Sequence, residues 1–343
     1  MSLKNDAASV LGDPEWMPSR WDRQTDAVQF VHLTRADHDG VTFLGEEYLA
    51  KLQPPSLTLD LAEIAAAKPP AAPSPHYIFH SAFCCSTLLA RALDLPGTSM
   101  ALKEPQILNT LTEAARAKAL SREVLQLFAG LLGRPFGAGE RVIVKPSNVV
   151  NLLATGLLEI NPGSKAIFLY APLPRFLRSV ADKGLFGRIW ARGIFKTLRA
   201  DTGLNFGYSA EDLLDLTDLQ VAALAWLMHH AQAAALIARL PERVRTLDSE
   251  TFLARRAEVL SAAAAHFELD LDDGRAEEIA SGPVFATHSK QLGQTFDPEQ
   301  PLQPKARVPI LDEEIEMVAT WLAKMASHNG LREEFAGNSE LLR

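Results

Sequence analysis

Five short apolar runs, each of strand length and each separated from the next by stretches of helical period, constrain this chain more than any other feature. They are HYIFH (His76 to His80), TSMAL (Thr98 to Leu102), RVIVK (Arg141 to Lys145), KAIFLY (Lys165 to Tyr170) and RVRTL (Arg243 to Leu247). Between them lie STLLARAL, TEAARAKAL, SREVLQLFAGLL, PRFLRSVADKG and QVAALAWLMHHAQAAALIARL. Strands apolar throughout must be covered on both faces, and helices between them supply the cover. The pattern predicts a three-layer, doubly wound α/β fold, with a five-stranded parallel sheet flanked by helices. Right-handed crossovers then place ligands beyond the carboxyl ends of the strands, so the residues just after each run are the ones to search.

Pro69, Pro70, Pro73 and Pro75 make residues 65–75 a linker, because proline suits neither a helix interior nor a central strand. Residues 1–64 read as an N-terminal arm with Trp16 and Trp21, containing a strand or hairpin over Val28 to Leu33 closed at Asp39-Gly40. Residues 76–343 form the main domain, with a helical insertion at about 185–240. Within it, Gly203 to Asp215 reads as a loop or lid. Leu311, Ile315, Val318 and Leu322 mark a docked amphipathic helix.

Composition narrows the functions. With 34 basic and 42 acidic residues the formal charge is -8, so no bulk positive field is available for a nucleic-acid partner. The two cysteines, Cys84 and Cys85, are adjacent, which excludes a disulfide framework and a four-cysteine zinc site. No basic stretch followed by an apolar one opens the chain, and no apolar run reads as long enough to span a bilayer. The expectation is a cytoplasmic protein without a membrane partner. The arm with its two tryptophans is compatible with a homo-oligomer.

The first run leads into FHSAFCCSTLLARAL, Phe79 to Leu93. A buried strand, a loop of small residues and a helix opening on Ser86 and Thr87 make a concave set of N–H groups suited to phosphate. This is not a Walker A loop, because Cys85 and Ser86 stand where Gly-Lys would precede the hydroxyl. Two other readings stay open here: an ordinary tight turn with Ser86 as helix N-cap, and a thiol lowered in pKa at a helix start. Further on, LKEPQIL places Glu104 at the end of the second run, either as a carboxylate reaching the loop or as a helix-initiating residue before Pro105. Lys145 ends the third run, in VIVKPSN. Arg175 and Ser179, four apart, share a helix face. His229 and His230 point to different faces and read as packing residues.

Together these segments, from His76 to about Pro298, resemble the P-loop sulfotransferases, particularly the bacterial and Golgi-type branches. In that family the first loop reads Pro-Arg/Lys-Ser-Gly-Thr-Thr; here the places are filled by Ala82, Phe83, Cys84, Cys85, Ser86 and Thr87. The resemblance implies a P-loop nucleotide-binding fold and 3′-phosphoadenosine 5′-phosphosulfate (PAPS) as co-substrate, with no metal. It also implies transfer of a sulfonyl group to a hydroxyl of a small-molecule acceptor. Cys84, Cys85, Ser86 and Thr87 would then cradle the 5′-phosphosulfate, Glu104 would be the general base, and Lys145 would stabilise charge. Arg175 and Ser179 would take the 3′-phosphate, and Lys290, in a His288-Ser289-Lys290 loop, the adenosine end. Phe83 stands where the family has a cation, and Tyr170 where it has an arginine. Three alternatives therefore remain: a catalytically impaired nucleotide- or phosphometabolite-binding protein, a small-molecule kinase using ATP and magnesium, and a thiol-dependent enzyme.

Overall fold

The computed structural model describes residues 7–69, 72–286 and 309–342. Two sheets are present among them. The first is antiparallel and has the order β1 (Trp16–Asp22), β2 (Ala27–His32), β3 (Ser56–Asp60). The arm's hairpin therefore turns between Asp22 and Ala27 and not at Asp39-Gly40. That dipeptide ends a short helix, Arg35–Asp39, instead. Thr34 and Asp37 cap each other's backbone N–H groups at its start, and this reciprocal cap overrides the Asp-Gly turn signal.

The second sheet consists of the five apolar runs. Its strands are β4 (His76–His80), β5 (Ser99–Lys103), β6 (Arg141–Lys145), β7 (Ala166–Tyr170) and β8 (Val244–Asp248), in the order β5-β6-β4-β7-β8. All four pairings are parallel. From the central β4 the chain passes to the outer β5, returns through β6 and then crosses to β7 and β8 on the other side. The direction of winding reverses beside β4, so the crevice at its carboxyl end is the expected ligand position.

Alternate residues of each strand serve opposite layers. Ile78, Ala101, Ile143, Ile167 and Leu169 face a core to which several helices contribute, among them α1 (Ser86–Ala92), α3 (Leu173–Asp182), α4 (Gly184–Thr202), α5 (Asp218–Arg239) and α6 (Pro309–His328). Tyr77, Phe79, Met100, Leu102, Val142 and Val144 face the other core, which holds Trp21, Val28 and Phe30 of the arm and Ile107, Leu108 and Leu111 of α2 (Ile107–Arg116). The antiparallel sheet thus supplies part of the second covering layer. Arg134 is buried and donates to the carbonyls of Val10, Leu11, Asp13, Trp16 and Leu131, which anchors the arm's start to this layer.

Helix α5 corrects one sequence expectation. At 22 residues it is long and apolar enough to cross a membrane by length and composition, but 67% of its apolar window is buried inside the protein. Its all-round hydrophobicity reflects a central position in the core. Trp226 on this helix donates its indole N–H to the carbonyl of Ala171 at 2.8 Å, joining α5 to the end of β7. His229 and His230 are both buried, consistent with packing roles. Helix α6 buries Ile315, Val318 and Leu322 as the spacing predicts.

Candidate functional site

The residues after β4 form a loop whose backbone is unusual. Ala82, Phe83 and Cys85 all adopt left-handed conformations, with φ of 72°, 51° and 63°. For residues bearing a Cβ each such conformation costs about 1–3 kcal/mol, and it persists only where the surroundings dictate it. Cys85 occupies the place where the resemblance expects glycine, and its left-handed φ is the geometry that glycine provides freely. It is also the N-cap of α1, without a side-chain cap hydrogen bond, so Ser86 is the first helical residue. The reading of Ser86 as N-cap is thereby corrected: the chain turns into the helix one residue earlier. Ser86 and Thr87 are both buried at the helix start.

A fourth left-handed residue, Glu104, follows β5, with φ of 56°. Its N–H donates to the carbonyl of Lys145 at 2.6 Å, which extends the β5–β6 register one step beyond the sheet. The Lys145 ammonium in turn forms a short ion pair with the Glu104 carboxylate. Lys145 has 1% of its side chain exposed and Glu104 22%, so the carboxylate is the member of the pair that reaches solvent. The neighbouring Lys103 points elsewhere. It is buried, donates to the carbonyl of His38 at 2.6 Å and lies 3.8 Å from Asp94. Lys103 and Lys145 are register partners at the ends of β5 and β6, and of the two it is Lys145 that pairs with Glu104.

The field of Lys145 is felt by the Cys84 thiol, but burial dominates and pushes that thiol up to about 11. Cys84 stays protonated near neutral pH, which argues against its use as a thiolate nucleophile. Phe83, in place of a cation, turns its ring into an aromatic cluster. Its centroid is 4.7 Å from that of Trp190 and 5.9 Å from that of Phe176. The ammonium of Lys183 lies 5.5 Å from the Phe83 ring, within cation–π range. Helices α3 and α4 can approach closely enough to assemble this cluster because residue 187 is glycine. A Cβ there would sit 2.1 Å from the carbonyl oxygen of Val180.

The remaining sequence-predicted residues divide. Arg175 and Ser179 are on α3, whose Phe176 packs against the loop, but the Ser179 hydroxyl donates to the carbonyl of Arg175 at 2.9 Å and its proton is occupied. Arg178 pairs with Asp312 of α6. Tyr170 is packed against His230 and Phe335, with ring centroids 5.0 and 5.2 Å away, and burial pushes its phenol up to about 12. It fills the arginine position with an aromatic contact. Lys290, with His288 and Ser289, lies outside the described residues. Sequence reasoning missed Lys183, which looks like an ordinary helix-end lysine until α3 and α4 fold back on the loop. It also missed His80, which contacts Ala82 and Pro146.

Comparison with solved structures finds two sulfotransferases among those to which the chain is similar. A sulfotransferase domain from the curacin biosynthetic pathway shares 16% identity over 78% of this chain and 100% of its own, with a TM-score of 0.45. A sulfotransferase from Alicyclobacillus acidocaldarius shares 14% identity over 75% of this chain and 96% of its own, with a TM-score of 0.39. No family model matches the sequence, and no curated protein matches it.

Proposed function

We propose that this chain is a sulfotransferase-like enzyme that transfers a sulfonyl group from PAPS to a hydroxyl of a small-molecule acceptor. The observation that carries this reading is the meeting of three strand ends beside the winding reversal: the left-handed loop after β4, Glu104 after β5 and Lys145 at the end of β6. Anion loop, carboxylate and cation are the groups that the chemistry needs.

PAPS supplies an activated sulfonyl group on a phosphate leaving group. The left-handed turn and the helix start at Ser86 suit its 5′ end, with Cys84, Cys85, Ser86 and Thr87 as the cradle. The 3′ end is less well provided, since Tyr170 is packed against His230 and Phe335; Arg175, exposed on α3, is a cation available to meet it. Glu104 takes the proton of the acceptor hydroxyl as its oxygen forms the new bond to sulfur. Lys145 then stabilises charge on the departing phosphate oxygen as the old sulfur–oxygen bond breaks. No residue in this scheme requires a metal ion.

Calorimetric titration with adenosine 3′,5′-bisphosphate tests the reading. Binding in the micromolar range is expected, and no binding at millimolar ligand would overturn it. The aromatic contacts of Phe83 and Tyr170 favour one alternative, a nucleotide- or phosphometabolite-binding protein without transfer activity. Binding with no sulfonated product from any acceptor pool would select that alternative.

A further inference from the structure

We propose that His80 is a positioning residue that holds the anion loop in its left-handed shape through the N–H of Ala82; this rests on the functional reading above. His80 is the last residue of β4 and is 5% exposed. Its Nδ1 lies 3.0 Å from the N–H of Ala82, and its Nε2 lies 3.0 Å from the carbonyl oxygen of Pro146. Each partner has a single role: an amide N–H donates and a carbonyl accepts. The ring is therefore the neutral tautomer with its proton on Nε2, and Nδ1 is the acceptor.

Ala82 is the first left-handed residue of the loop, and Pro146 directly follows Lys145. One imidazole thus ties the beginning of the loop to the residue beyond the cation. The backbone at His80 is held as well. Asn151 donates to the His80 carbonyl at 3.1 Å and its amide nitrogen lies 3.1 Å from Nδ1 of His229. Ser147, next to Pro146, donates to Asn109 of α2 at 2.7 Å. An alanine at residue 82 has no intrinsic reason to adopt φ of 72°, and the acceptor on His80 supplies one.

Two variants separate this role from simple packing. His80→Asn keeps an acceptor at the Nδ1 position and loses the contact with Pro146. His80→Gln keeps a donor at the Nε2 position and loses the acceptor for Ala82. Each removes one buried hydrogen bond, so a purely structural role lowers their urea midpoints and ligand affinities alike. Positioning of the loop through Ala82 predicts that His80→Asn binds adenosine 3′,5′-bisphosphate within about threefold of the unaltered chain and His80→Gln at least about tenfold more weakly. Equal affinities in the two variants, with the unaltered chain binding well, would overturn the proposal and leave the functional reading standing. If the unaltered chain binds no adenosine 3′,5′-bisphosphate, that reading falls, and amide exchange at Ala82 decides the clamp. Protection in the unaltered chain and in His80→Asn but not in His80→Gln supports it, and equal exchange in all three rejects it.

Discussion

Lys145 and Glu104 are tied to each other twice, once through the ammonium and the carboxylate and once through the 2.6 Å hydrogen bond from the Glu104 N–H to the Lys145 carbonyl. The backbone bond fixes the spacing of the two strand ends, and the ion pair keeps both side chains at the loop. In the proposed reaction the two groups act on opposite ends of one transfer. Glu104→Gln should therefore leave affinity for adenosine 3′,5′-bisphosphate within about twofold while lowering the transfer rate about 10²- to 10⁴-fold. Lys145→Met should lower the rate about 10²- to 10³-fold. Initial rates of sulfonyl transfer read both effects, and an unchanged rate in Glu104→Gln removes it as the base.

Cys85 holds a left-handed φ that glycine adopts without strain. Cys85→Gly should be neutral or stabilising by up to about 1 kcal/mol, because relief of strain outweighs the extra freedom of the unfolded chain. Cys85→Val adds a branched Cβ to the same conformation and should cost about 1–2 kcal/mol or more. Urea unfolding of the two variants checks the order; a more stable valine variant contradicts the assigned backbone.

Lys183 is exposed and lies over the Phe83 ring, where the loop itself has no cation. Lys183→Met is expected to change stability by less than about 0.5 kcal/mol, as for other surface substitutions. Its affinity for adenosine 3′,5′-bisphosphate should fall several-fold, with a weaker dependence on salt. Affinity and salt dependence equal to those of the unaltered chain would show that Lys183 serves the aromatic cluster alone.

Burial lowers several histidines well below their ordinary value: His229, His76 and His266 to about 4, and His230 and His38 to about 3. Each binds a proton more readily in the unfolded chain, so stability is highest above pH 6.5 and falls as the pH drops toward 4. At pH 5 each contributes a loss of up to about 2 kcal/mol. Asp94 opposes the trend, since burial raises it to about 6, and the stability it adds is present at low pH and lost as the pH rises through that value. The five histidines outweigh the raised carboxyls of Asp94 and Glu333, which predicts a net decrease in urea midpoint between pH 7 and pH 5. A midpoint that stays constant or rises contradicts the burial of these rings.

The strands were legible because burial on both faces forces them to be apolar throughout, a signal that survives without any knowledge of neighbours. The edges of β5, β7 and β8 differ from the sequence reading by a single residue. The N-terminal hairpin was misplaced because two local signals competed, and the reciprocal cap of Thr34 and Asp37 won over Asp39-Gly40. The burial of α5 was not legible, since a helix hydrophobic all round reads the same in a core as in a bilayer until its neighbours are known.

Sequence alone determined the order of strands and helices, the strand-to-helix turn at Cys84 to Thr87, and the placing of Glu104 and Lys145 near strand ends, all of which rest on periodicity and on the chemistry of neighbours in the chain. Tertiary structure decided that Glu104 and Lys145 touch, that Phe83 is covered by Trp190 and Lys183, that Arg178 turns to Asp312, and that His80 bridges Ala82 to Pro146. His80 and Pro146 are 66 residues apart, and Lys145 and Glu104 are 41. Contacts at such separations depend on which strands lie side by side, and a local pattern of residues carries no record of that pairing.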